Sequence, residues 1–475
     1  MLSGNSSHER LGFIAFAPQS IGFIGPCEAE VFDIYGITHN YESTKKNVPG
    51  AVSGMVWIYR FSGVRPVPAA APEIAAVPYD VVTADEARAI IARNPKSFLR
   101  VSRSDAELPD TPPHDDRVYK RAREMFVSLE REGLLKKDSE PSMYLYRVQH
   151  DGDTFLGLCC CLDVDDYRKN NIRRHEQTRY DKEEDRTRHI EAVRAHDGPV
   201  VLLYRDEADI FSFIESQIAH NKPPAAEVRT EQGALHQIFR IADPEVLALL
   251  QRRFASVPSL YIADGHHRAK ASVNLANRII ASGRKPDDEV CRFMGVMFAH
   301  DKVKIHGYSR LLTDLGTYSP DSFLKKLGDY FTVRPYGTVN GSGYNIPPAI
   351  VDPGKYHVAH LYLAGTWYEC TRPRVPGAAP LDALDVTVLQ KHVLEDMLGI
   401  TDPRGDARLQ YLGGARPVAD LEKLVDSGTY RLAFALQPVR VETVLSIADA
   451  GGIMPPKSTW FEPKLLSGLV IHSFD

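Results

Sequence analysis

Two apolar runs, MYLYRVQH at 143–150 and TFLGLCCCLDV at 154–164, stand on either side of Asp151-Gly152. An Asp-Gly pair in that setting is the strongest short-range hairpin signal, because the favoured two-residue turn needs positive φ at both central positions. The spacing predicts two antiparallel strands, whose sheet other elements must cover. Thr83-Ala84-Asp85-Glu86 is a capping box, in which Thr83 and Glu86 satisfy free N–H groups, and it predicts a helix that stops near Asn94-Pro95. Tyr119, Ala122, Phe126 and Leu129 recur at spacings of three and four before Gly133, the mark of an amphipathic helix. Asp243-Pro244 opens another, running to Phe254. The charge-dense stretch 171–196 is expected to be helical, followed by the buried strand PVVLLY and a helix around FSFIESQIAH. The strand SLYIA, the helix AKASVNLANRIIASG and the strand CRFMGVMFAH come next. The fold class is mixed α/β, of the α+β kind.

At 475 residues the chain has room for two to three domains of roughly 150 residues each. Residues 1–54 read as an N-terminal extension, disordered or absent from the mature protein, because regular patterning starts only at Met55. Residues 55–335 read as the main α/β domain. Gly and Pro thicken after 335, which sets off residues 336–475 as a smaller C-terminal α+β part docked on the first.

Several function classes drop out. Lys plus Arg minus Asp plus Glu is 57 − 62 = −5, so no overall basic field attracts nucleic acid or an anionic membrane. No apolar stretch of membrane-spanning length and no signal peptide are visible, and a cytoplasmic protein is expected. The six cysteines form no C-x-x-C pair, and Cys159, Cys160 and Cys161 sit in a strand-like run where cysteine acts as a small hydrophobe. Lys457-Ser458-Thr459 follows glycines as in a P-loop, but Pro456 has no N–H for a phosphate cradle. Neither G-x-S-x-G nor a complete G-x-G-x-x-G occurs.

The segment Asp264-Gly265-His266-His267-Arg268, between a strand and a helix, concentrates an acid, two histidines and an arginine in five residues. Gly265 permits a tight turn and close approach of a ligand, and a helix start presents free N–H groups to an anion. Arg268 adds a planar fork for phosphate or carboxylate. Asp264 is a helix cap, a metal ligand or an orienting carboxylate. Adjacent histidines on a helix point about 100° apart, so His266 and His267 do not chelate one metal together. The second charged segment, Arg173 to Arg179, starts like H-E-x-x-H but has Arg179 in place of the second histidine. There Glu176 is a candidate base or Mg²⁺ ligand, and Arg174 a candidate phosphate contact. Lys457, in the proline-flanked MPPKSTWFEPK segment, is a further candidate contact.

Taken in order, VPYDVV, NPKSFLRV, RRHEQT with EEDR, YIADGHHR and MPPKSTWFEPK resemble the signature blocks of a bacterial and archaeal family catalogued as domain of unknown function 1015, over about residues 55–475. Asp264-Gly265-His266-His267-Arg268 also resembles the phosphate-binding turn of the ParB/sulfiredoxin-like superfamily, which includes free serine kinases. That second resemblance implies a ParB/sulfiredoxin-like core with added strands and helices, and Gly265, His266, His267 and Arg268 as phosphate contacts beside Asp264. It further implies a kinase that uses ATP or ADP with Mg²⁺ to phosphorylate a small hydroxylated metabolite such as serine. Glu176, Asp264 and His267 are then the catalytic candidates, and Asp264 and Glu176 the Mg²⁺ candidates. A nucleotide- or anion-binding sensor without turnover, and a phosphate-ester hydrolase, are the alternatives.

Overall fold

The computed structural model describes residues 56–219, 223–336, 347–414 and 417–475. The extension 1–54 and Met55 lie outside the described residues. The expected hairpin forms: Met143–His150 pairs antiparallel with Asp153–Asp163, and Asp151 and Gly152 have φ of 49° and 83°. It is the middle of a nine-stranded sheet. From one edge the order is Ile172–Arg173, Leu260–Asp264, Val200–Tyr204, Arg292–Ala299, Asp153–Asp163, Met143–His150, Leu235–Ile241 and Ala226–Arg229, with Ile58–Tyr59 also paired to Asp153–Asp163. Two neighbour pairs are parallel, Leu260–Asp264 with Ile172–Arg173 and Arg292–Ala299 with Val200–Tyr204, so the sheet is mixed.

Both faces of this sheet are buried. The period of two along the strand sends Cys159 and Cys161 into one apolar core and Cys160 into the other. Burial pushes all three thiols up, which makes them packing groups and not nucleophiles. Close packing leaves no room at Gly295, where an added Cβ would lie 2.4 Å from Leu202 Cδ1.

The capping box is present on Ala84–Arg93, and Asp243 caps Pro244–Phe254 through the amides of Glu245 and Val246. The amphipathic helix spans Asp116–Arg131. A second, all-antiparallel sheet has the order Thr332–Pro335, Thr366–Pro373, Tyr356–Leu363, Leu432–Leu436, Tyr308–Leu312 and Leu409–Gly413. Its strands come from both sides of residue 335. The segment DVTVLQKHVLEDMLG is not one uniform helix, because Asp385–Leu389 is α and Gln390–Glu395 widens into π.

Two local expectations are corrected. Residues 171–179 are not helical; Ile172–Arg173 is an edge strand, residues 174–179 connect it to the following element, and the helix begins only at Tyr180 and ends at Val193. The other helix starts earlier than expected, at His266 and not after Arg268, so both histidines and the arginine form its first turn. No described helix is long and apolar enough to cross a membrane.

Candidate functional site

The strand Leu260–Asp264 is buried along most of its length and ends on Asp264. Gly265 follows at φ 89°, a conformation that costs an L side chain about 1–2 kcal/mol, and it caps the sixteen-residue helix His266–Ala281. A second reason requires glycine here. A Cβ at 265 would lie 2.8 Å from Arg268 Nε, so the bare turn lets the arginine fold back over it. Gly198 is the other wall, since its Cβ would lie 3.2 Å from Arg268 Nη1.

Arg268 is 8% exposed and donates to Asp264 Oδ2 at 3.0 Å, while Lys464 approaches Asp264 Oδ1 at 3.6 Å. Burial pushes the Asp264 carboxyl up, but Lys464, Arg268, His266 and Lys457 outweigh it and hold it down at about 2. Asp264 is therefore ionised at neutral pH and enclosed by cations. His266 Nε2 and Arg268 Nε are buried with no hydrogen-bond partner. Leaving such groups unpaired costs about 1–3 kcal/mol each, and at the Arg268 N–H an entering acceptor would remove that penalty.

Burial lowers the His266 imidazole to about 3, so its 3.8 Å approach to Glu176 Oε2 joins a neutral ring to a carboxylate and is not an ion pair. His267 is also lowered, chiefly by burial. The Arg179 amide donates to His267 Nε2 at 3.1 Å, so that nitrogen is an acceptor and Nδ1 carries the proton. His175 packs edge-to-face on His266 with ring centroids 4.7 Å apart, and its carbonyl accepts from the Met454 amide at 2.8 Å. The C-terminal loop is thereby tied to the strap that carries Glu176.

Of the residues singled out in the sequence, Asp264, Gly265, His266, His267, Arg268 and Glu176 come together. Arg174 is exposed and lies over the Tyr167 ring at 4.8 Å, though its charge still lowers His266. Lys457 is exposed, sits over the Tyr308 ring at 5.6 Å and helps to hold Asp264 down. Sequence reasoning missed His175 and Lys464. Asp80, in the VPYDVV block, acts on both His267 and Arg268. Arg103 holds that block by donating to the carbonyls of Tyr79 and Val82.

Of the two carboxylates expected to take Mg²⁺, Asp264 is already engaged by cations. Asp264 is neutralised by Arg268 and Lys464, and no group of three or more His, Cys, Asp or Glu among the described residues is placed to hold a metal ion. The local charge suits an anion. Two surface cavities, of about 400 Å³ beside Arg188 and Arg278 and about 230 Å³ between Met454 and Gln390, do not include the turn.

The buried rings give a sign to the pH dependence. Burial pushes His175, His196 and His266 down to about 3, and His236 and His360 to about 4, from 6.5. Below pH 6.5 the unfolded chain takes up protons that these rings refuse, so stability is full above 6.5 and is lost progressively toward pH 3–4. Each ring contributes a slope of about 1.4 kcal/mol per pH unit in that window. Thermal midpoints are expected to fall from pH 7 to pH 5, less steeply in His266→Gln; a flat profile in the wild type would contradict the assignment.

Comparison with known families adds a decisive match: the model for "Protein of unknown function (DUF1015)" covers residues 58–387. The chain belongs to that family. Among curated proteins none matches. Solved structures similar to this DUF1015 member include a conserved hypothetical protein from Pyrococcus furiosus, 14% identical, covering 63% of this chain and 89% of that one with a TM-score of 0.30. A free serine kinase in complex with AMP is 14% identical over 66% of this chain and 90% of its own, with a TM-score of 0.34. SbnI from Staphylococcus aureus, with a C-terminal truncation, is 10% identical over 65% and 85%, with a TM-score of 0.31. Scores this low carry nothing about mechanism.

Proposed function

We propose that this DUF1015 protein binds the phosphates of ATP or ADP on the Asp264–Arg268 turn and passes the terminal phosphoryl group to a small hydroxylated metabolite, a free amino acid such as serine among them. The observation that carries the reading is Arg268, a buried guanidinium at the start of a sixteen-residue helix, with its Nε and the neighbouring His266 Nε2 unpartnered. Free helix N–H groups, the positive dipole end and a cation together favour phosphate.

Glu176 is half-buried beside His266 and is the carboxylate best placed to accept the proton of an acceptor hydroxyl. As the hydroxyl oxygen bonds to the terminal phosphorus, the bond from that phosphorus to its bridging oxygen breaks. The nucleotide leaves one phosphate shorter, the acceptor becomes a phosphate monoester, and the hydroxyl proton resides on Glu176 until it passes to water. Arg268 and the helix start stabilise the charge on the transferring oxygens. His267 contributes position, because its Nε2 is already taken by the Arg179 amide.

The test is to incubate the full chain with ATP or ADP and a panel of small alcohols and amino acids and to follow phosphorus by NMR. A new phosphomonoester that appears only with the acceptor is the expected result. Free phosphate without an acceptor would mark a hydrolase, and binding without turnover a sensor; either would overturn the kinase reading.

A further inference from the structure

The tyrosines around the turn are engaged by cations. Tyr79 faces Arg186 at 4.2 Å, Tyr119 faces Arg188 at 4.4 Å and Tyr308 faces Lys457 at 5.6 Å. Tyr180 is different. It is 80% exposed, and among the described residues no ring or cation packs on it. Its place is nevertheless fixed, because it opens the helix Tyr180–Val193 directly after Arg179, whose amide is bound to His267. The Arg179 guanidinium turns to Asp181 and leaves the tyrosine uncovered.

Val81, 40% exposed, follows Asp80, whose charge reaches His267 and Arg268. Two exposed apolar side chains therefore sit on two separate segments that border one buried, anion-seeking turn. A lone exposed apolar residue needs no explanation, but two on segments that reach His267, the neighbour of the unpartnered Arg268 and His266, suit a ligand that is anionic at one end and flat and apolar at the other.

Resting on the nucleotide reading above, we propose that Tyr180 is the platform on which the base of the bound nucleotide stacks, with Val81 at its margin. Every base has a π-face, so a site that holds the base by its face and not by its edge accepts purines and pyrimidines alike. Base identity is then read weakly, and the phosphates and the acceptor carry the specificity.

Isothermal titration of the full chain with ADP, CDP and inorganic pyrophosphate tests this, using the wild type, Tyr180→Ala and Tyr180→Phe. Stacking of a base on an aromatic ring leads to an expected loss of about fivefold or more in ADP and CDP affinity in Tyr180→Ala. Pyrophosphate affinity should stay within about twofold, and Tyr180→Phe should bind as the wild type does. Unchanged ADP binding in Tyr180→Ala would overturn the platform and leave the nucleotide reading standing. An equal loss for ADP and pyrophosphate would show a structural effect and also overturn it. A wild type that binds pyrophosphate but no nucleotide, or neither, would overturn the nucleotide reading and the platform with it.

Discussion

A chain carrying Arg268→Ala is expected to unfold more easily than the wild type and to gain nothing from added ADP. Breaking a buried ion pair by removing one partner costs about 3–5 kcal/mol, and the lower end applies because Asp264 retains Lys464 at 3.6 Å. The ligand-dependent part is separate. A nucleotide at 100 times its dissociation constant adds about 2.7 kcal/mol to the wild type, and the variant should show none of it. Arg268→Lys separates the two effects, since it keeps a charge beside Asp264 and loses the planar fork. Thermal unfolding with and without ADP reads both. Full ADP stabilisation in Arg268→Ala would remove the arginine from the site. From sequence alone this substitution looks harmless to the fold; the burial of Arg268 against Gly265 and Gly198 is what changes that expectation.

The second large effect is expected at Glu176. Glu176→Gln keeps the shape and the distance to His266 but cannot accept a proton, so turnover should fall by about 10²–10⁴-fold. ADP affinity should be nearly unchanged, because in the proposed mechanism the carboxylate serves the acceptor and not the phosphates. A matched measurement of turnover and of ADP binding decides it. Retained turnover would move the base to another group, and lost binding would show that the carboxylate shapes the nucleotide pocket instead.

The elements that could be read from the sequence are those whose signals are local. Asp151-Gly152, the Thr83 capping box and Asp243-Pro244 each fix a backbone conformation within four residues, and each appears where expected. The strand, glycine turn and helix that carry Asp264 to Arg268 were legible for the same reason. The hairpin of Ala226–Arg229 and Leu235–Ile241 was not, because its first strand has only four residues with alternating charge and its turn holds no Asn-Gly or Asp-Gly pair. The strap 174–179 misled because dense charge resembles a solvated helix. It is shaped instead by partners distant in sequence, Met454 on the His175 carbonyl and His267 on the Arg179 amide. Lys464 reaches Asp264 across 200 positions, a pairing that no local pattern in one sequence encodes.

The central claim is that phosphate sits on the Asp264–Arg268 turn, and a crystal structure of the full chain grown with ADP tests it most directly. Density for the diphosphate within hydrogen-bonding distance of the Arg268 guanidinium and the amides of the first helical turn is the predicted result. A nucleotide bound elsewhere, with Arg268 Nε and His266 Nε2 still facing nothing, would contradict the account.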